Sequence, residues 1–134
     1  MKESQDMQVV LIIDDNTAVR MVISDFLTYT FQHIKVLQAM DGVEGVAIAR
    51  EARPDLILLD AEMPNMNGFE VAQHLRASSD TQTIPIIAIS SGPESNPIVS
   101  GLRSISDANL PKPFSPEELV QVVKGLKHFS RVMA

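Results

Sequence analysis

The sequence predicts an α/β protein in which a parallel β-sheet is wound on both faces by helices. Three observations carry that prediction. Short apolar runs alternate with longer amphipathic stretches along the chain, the pattern of repeated βαβ units. The apolar runs are mostly continuous, as expected of strands buried on both faces, where a sheet with one wet face would alternate. Helix starts with capping-box spacing stand at NGFE (67–70) and SPEE (115–118).

Residues 9–13 are a continuous apolar run of strand length. Asn16 or Thr17 can cap the helix that follows, where Val19, Val22, Ile23, Phe26 and Leu27 recur at helical spacing. Residues 34–38 read as a second, shorter strand. Asp41 and Gly42 then open a helix carrying Val43, Val46, Ala47 and Ala49, closed before Pro54 because a residue preceding proline is driven out of the helical region. Residues 56–59 are the third strand, and Phe69, Val71, Ala72 and Leu75 give the third helix its apolar face. Pro85 introduces a fourth strand at 86–89 that ends in Ser90-Ser91-Gly92. Pro93, Pro97 and Gly101 interrupt the next stretch, so the helix implied by Ile98, Val99, Leu102 and Ile105 is expected to be short or late-starting. Residues 108–110 are a brief fifth strand. Ser115 at N-cap, Pro116 at N1 and Glu118 at N3 start the last helix, lined by Leu119, Val122, Val123, Leu126 and Phe129.

The 134 residues fit one domain, expected to span 8–131 after a flexible N-terminus at 1–7, with no output domain in the chain. Apolar residues at 45% and charged residues at 21% sit near the average for folded domains, which excludes disorder over most of the length. A net charge of −6 without any Lys/Arg run argues against direct binding to nucleic acid or an anionic membrane. No apolar stretch approaches the roughly 18 residues needed to span a bilayer, and the N-terminus lacks a signal-peptide core, so a cytoplasmic location is the expectation. The absence of cysteine removes disulfides, thiolate catalysis and cysteine-based zinc sites. His33, His74 and His128 lack paired ligand spacing and read as surface or helix-edge residues.

In an open doubly wound sheet, ligands bind beyond the carboxyl ends of the strands. The residues there are Asp14 and Asp15 after strand one, Asp60 after strand three, Ser90 after strand four and Lys112 after strand five. Singly, each has a bland explanation as a cap, a turn residue or a loop hydroxyl. Jointly, carboxylates crowded on one edge would repel and raise their own pKa values unless a cation joined them. A hard, oxygen-preferring ion such as Mg²⁺ suits that set, and a lysine and a hydroxyl on the same rim suit phosphoryl oxygens. The edge therefore reads as a phosphate-handling site with a carboxylate nucleophile. Neither a P-loop nor a GxGxxG stretch is present to anchor a nucleotide.

The segments LIIDDN (11–16), DLILLDAEMPNMNGFE (55–70), IPIIAISS (84–91) and LPKPFSPEEL (110–119) resemble the receiver domain of two-component response regulators, the fold of the single-domain chemotaxis regulators. Lys112 lies 52 positions after Asp60 (112 − 60) and 22 after Ser90 (112 − 90), in agreement with that family. The resemblance implies a flavodoxin-like (βα)5 sandwich with strand order 2-1-3-4-5. It implies that Asp60 accepts a phosphoryl group from a phosphohistidine on a sensor histidine kinase or histidine phosphotransfer protein. By the same resemblance Asp14, Asp15, Asp60 and the Glu62 backbone carbonyl hold Mg²⁺, while Ser90 and Lys112 contact the phosphoryl oxygens. It further implies a cis Lys112-Pro113 bond and a phosphorylation-switched surface for a downstream protein or tethered output domain. Such a chain is a signalling phosphoacceptor rather than an enzyme with a separate substrate.

The sequence departs from the family pattern in places. The aromatic switch residue found three positions before the lysine in many receivers is Asn109 here, Pro93 and Pro97 alter the start of the fourth helix, and Gly92 offers no side chain to orient a water. Glu62, two positions after Asp60, occupies the general-acid spacing of Mg²⁺-dependent aspartyl-phosphate phosphohydrolases, which is one alternative reading. Its side chain is otherwise expected to reach over the site, toward the ion or the lysine. A receiver fold acting independently of phosphorylation is another alternative.

Overall fold

The computed structural model describes the backbone of residues 8–133 and the side chains of residues 8–126. The expectations for residues 1–7 and for the His128 and Phe129 side chains lie outside the described residues. The chain runs β1 (Gln8–Ile13), α1 (Thr17–Thr30), β2 (Ile34–Ala39), α2 (Gly42–Ala52), β3 (Leu56–Asp60), α3 (Gly68–Ala77), β4 (Ile86–Ser90), α4 (Pro97–Ile105), β5 (Ala108–Pro111) and α5 (Pro116–Met133). The strands form one parallel sheet in the order β2-β1-β3-β4-β5.

The continuous apolar strands follow from covering both faces. Because side chains alternate across a strand, each apolar run supplies two cores at once. Leu11, Ile13, Ile57, Leu59, Ile86 and Ala88 face α2, α3 and α4 and pack with Ala49, Val71, Ala72, Leu75, Val99 and Leu102. Val10, Ile12, Leu56, Leu58, Ile87, Ile89 and Leu110 face α1 and α5 and pack with Ile23, Leu27, Leu119 and Val123. Each fully buried Ile or Leu contributes roughly 1.5–3 kcal/mol relative to an exposed one.

Capping fixes where each helix begins, all on the same edge of the sheet. Asn16 caps α1 by accepting from Val19 N at 3.0 Å, while Thr17 is the first helical residue. Asp41 accepts from Glu44 N at 2.8 Å, and reciprocal capping boxes join Asn67 to Glu70 and Ser115 to Glu118. Asn96 caps α4 and places Pro97 at N1, where the missing N–H costs no helical bond, so α4 is late-starting as expected.

Three residues assigned to apolar helix faces are turned to solvent. Val22 and Val43 are more than half exposed and Ala47 is exposed as well. On α1 the buried stripe runs through Arg20, Ile23 and Leu27, and on α2 through Gly42, Gly45 and Ala49. Small residues in α2 let it lie close to the sheet: a Cβ on Gly45 would come within 2.6 Å of Ile13. His33 and His74 are exposed, in line with the sequence reading.

Candidate functional site

The parallel register carries the predicted residues to one edge. Asp60 ends β3 opposite Ile89, one residue before Ser90 ends β4, and the Lys112 N–H donates to the Ser90 carbonyl at 2.8 Å. Asp14 leaves β1 with its N–H donating to Ala39 O of β2 at 3.2 Å. Carboxylate oxygens of Asp14, Asp15 and Asp60 lie within 4.8 Å of one another. Lys112 Nζ reaches into this group, 3.0 Å from Asp60 Oδ1 and 3.8 Å from Asp14 Oδ2.

Burial sets the electrostatics. Asp14 and Asp60 are only 1% and 4% exposed, whereas Asp15 is open to solvent. Burial, reinforced by the Asp14 charge, pushes the Asp60 carboxyl up to about 6 against the pull of Lys112. Burial likewise raises Asp14, although Asn16 N–H, Lys112 and Arg20 favour its charge. Burial pulls Lys112 down, but its bond to Asp60 and the charges of Asp60, Asp14 and Glu62 outweigh that, and the net shift is upward.

One ammonium cannot compensate three carboxylates. Asp14 Oδ1 accepts from Asn16 N at 2.8 Å, while Asp14 Oδ2 is buried without a hydrogen-bond partner among the described residues. A buried carboxylate oxygen with no hydrogen bond and only a 3.8 Å ion pair to Lys112, in a residue grouped with two further carboxylates, belongs to a donor set suited to a hard divalent cation.

The loop after β3 is held close beneath the site. Gly68 N donates to Ala61 O at 2.9 Å, and a Cβ at Gly68 would overlap the Asp60 carbonyl, so only glycine permits this approach. Ala61 and Met63 are buried, while Asn65 takes a left-handed conformation with φ 69°, which asparagine tolerates better than most residues. The Lys112-Pro113 peptide bond is cis.

Two predicted residues sit at the rim rather than in the cluster. The Glu62 side chain is exposed, and Glu62 Oε1 accepts from Ser91 Oγ at 3.4 Å. Ser90 is buried, but its hydroxyl meets neither Asp60 nor Lys112; it accepts instead from Arg103 Nη2 at 3.0 Å. Sequence reasoning missed this arginine and a second one. Arg20, buried on α1, donates through Nη1 to the Asp14 carbonyl at 2.6 Å and through Nε to Gln38 Oε1 at 3.1 Å, fixing the backbone that carries Asp14. The available signal was its place on the Ile23 and Leu27 stripe, where a charge is out of pattern.

Comparison with known proteins agrees with this geometry. A family model described as the response regulator receiver domain matches residues 10–124. The DNA-binding dual master transcriptional regulator RpaA of Synechocystis is 36% identical over 117 residues, covering 87% of this chain and 48% of RpaA. The response regulator MprA of Mycobacterium avium is 34% identical over 117 residues, covering 87% of this chain and 50% of MprA. The chain thus spans about half the length of the curated relatives it matches. Among solved structures, the chemotaxis response regulator CheY4 of Vibrio cholerae superposes with TM-score 0.78 at 32% identity, covering 88% of this chain and 97% of CheY4. The receiver domain of the Pseudomonas aeruginosa sensor histidine kinase PA1611, solved with a magnesium ion in its active-site cleft, gives TM-score 0.79 at 27% identity, covering 88% of this chain and 95% of that domain. Sheet order, the clustered aspartates with their lysine, and the extent of these matches lead to one conclusion: the chain belongs to the response regulator receiver domain family of two-component systems.

Proposed function

We propose that this receiver accepts a phosphoryl group on Asp60 from a phosphohistidine of a sensor histidine kinase or histidine phosphotransfer protein. The observation that carries the reading is the buried Asp60 carboxylate, bonded to Lys112 Nζ at 3.0 Å and grouped with Asp14 and Asp15. With its carboxyl at about 6, Asp60 is mostly ionised at neutral pH and so available as a nucleophile. In the transfer an Asp60 carboxylate oxygen attacks phosphorus, a P–O bond forms, the P–N bond breaks, and the imidazole leaves with the electron pair. Lys112 moves its hydrogen bond from the carboxylate to the phosphoryl oxygens, and the Ser90 hydroxyl donates a hydrogen bond to one of them.

Asp14, Asp15, Asp60 and the Glu62 backbone carbonyl would hold Mg²⁺, which when bound neutralises the carboxylates and the incoming phosphoryl oxygens. The buried Asp14 Oδ2, which has no hydrogen bond among the described residues, and the magnesium in the PA1611 receiver support that assignment. Switching then acts on a protein surface, read by a downstream protein or a tethered output domain.

Acetyl phosphate with Mg²⁺ tests the reading. Intact mass should gain one phosphoryl group, and Asp60→Asn should gain none. A label that persists in Asp60→Asn overturns Asp60 as acceptor, and multiple turnover of small phosphate esters moves the chain to the hydrolase class.

A further inference from the structure

Helix α4 starts on the site's edge of the sheet and runs away from it, and side chains on a helix lean toward its N-terminus. A long side chain two turns into α4 can therefore reach back to the strand ends. Arg103 does so. Its Nη2 donates to Ser90 Oγ at 3.0 Å and its Nη1 to Glu94 Oε1 at 2.6 Å. Its Nε is buried and has no hydrogen-bond partner among the described residues. The two anchors differ in kind. Ser90 is buried at the end of β4, whereas the Glu94 side chain is 68% exposed in the loop before α4, against 19% for Arg103.

An ion pair with one partner so exposed is held weakly. A guanidinium with an unspent buried N–H, already bonded to a hydroxyl of the site, is poised for a stronger anion. Ser90 Oγ accepts from Arg103 but donates to no group among the described residues, so its proton remains available for a phosphoryl oxygen. The chain Arg103 N–H to Ser90 O–H to phosphoryl oxygen polarises in one direction, and each link strengthens the next.

We propose that Arg103 is the positioning residue that carries the phosphorylation state of Asp60 to α4, by exchanging Glu94 for the phosphoryl side of Ser90. This rests on the receiver reading above. Without phosphate, Arg103 ties Ser90 to Glu94 and holds residues 92–96 and the start of α4 in the observed arrangement. A phosphoryl group adds about −1.5 to −2 charge beside Ser90, draws the guanidinium inward with the hydroxyl, and releases Glu94. Among the described residues Arg103 alone hydrogen-bonds both Ser90 and Glu94, so the coupling has a named carrier.

The test uses amide chemical-shift mapping with beryllofluoride and Mg²⁺ as the phosphoryl mimic. In the wild type, amides near Asp60, Ser90 and Lys112 and those of 94–105 should all move. Arg103→Met keeps the stem packed but removes the charge. It should preserve the shifts at Asp60 and Lys112 and reduce those of 94–105 at least threefold. Glu94→Gln should move the 94–105 amides of the unliganded protein toward their liganded positions. Undiminished 94–105 shifts in Arg103→Met overturn the proposal. Should that variant fail to fold, Glu94→Gln decides, and 94–105 amides that stay in their wild-type unliganded positions overturn it. No mimic-dependent shift at Asp60 or Lys112 in the wild type would instead overturn the receiver reading itself.

Discussion

Replacing Asp60 with Asn is expected to stabilise the metal-free protein at neutral pH while removing the proposed phosphoacceptor. The magnitude follows from the carboxyl's pKa of about 6 in the folded chain against 3.8 as the ordinary value. A raised carboxylate favours folding only while protonated: its contribution is present below 3.8 and is lost as pH rises through about 6. At pH 7.5 the ionised Asp60 therefore costs the fold about 3 kcal/mol, at about 1.36 kcal/mol per pH unit between the two values. Asn, neutral and nearly the same shape, removes that cost. At pH 4 the folded carboxyl is protonated and the unfolded one is close to half-protonated, so the difference shrinks to under about 1 kcal/mol. Urea unfolding of wild type and Asp60→Asn at both pH values, in EDTA, measures this, and for a chain of this length the neutral-pH gain corresponds to about 10 °C in Tm. Saturating Mg²⁺ should stabilise the wild type and narrow the gap, since on the proposed assignment the ion would bind only the folded carboxylate set. If Asp60→Asn is no more stable than wild type at pH 7.5, the cluster is not electrostatically strained and the reasoning fails.

Two further outcomes follow. Mg²⁺ affinity measured calorimetrically should fall about tenfold between pH 7.5 and 5, because protons compete for Asp60 as pH drops below about 6; a pH-independent affinity would place the ion elsewhere. Arg76→Ala should cost about 1–3 kcal/mol in urea unfolding, because Arg76 donates to the carbonyls of Gln82, Ile84 and Ile105 and pairs with Asp107 at 2.9 Å, leaving those acceptors unpaired when removed; stability within about 0.5 kcal/mol of wild type would show that water replaces those bonds.

The strands and the strand-end residues were legible because a sheet covered on both faces leaves a clear record. Residues 56–59 are apolar without interruption, so Asp60 stands out where the run ends, and the same holds for Asp14 and Ser90. Helix faces were less legible. Val22 and Val43 have the side chains of core residues but lie off the buried stripe, since a nearby register of the same helical pattern fits the sequence almost as well. Gly42 and Gly45 carry no apolar side chain to mark the buried face of α2. Ser90 and Lys112 were placed on the right edge, but spacing along the chain could not show that the Ser90 hydroxyl bonds Arg103 of α4.

The two arginines that spacing missed occupy equivalent places. Arg20 lies four residues after the α1 cap Asn16, and Arg103 lies seven after the α4 cap Asn96, one and two helical turns respectively. In a parallel sheet every following helix starts at the carboxyl edge, so side chains one or two turns in lean back toward the strand ends. A polar side chain there, on the stripe that should be apolar, is in position to reach the site without standing near it in sequence. Arg20 holds the carbonyl of the aspartate after β1, and Arg103 holds the hydroxyl that ends β4. The site of this receiver is thus two tiers deep: carboxylates and lysine at the strand ends, and arginines from the flanking helices hydrogen-bonded to the strand-end residues.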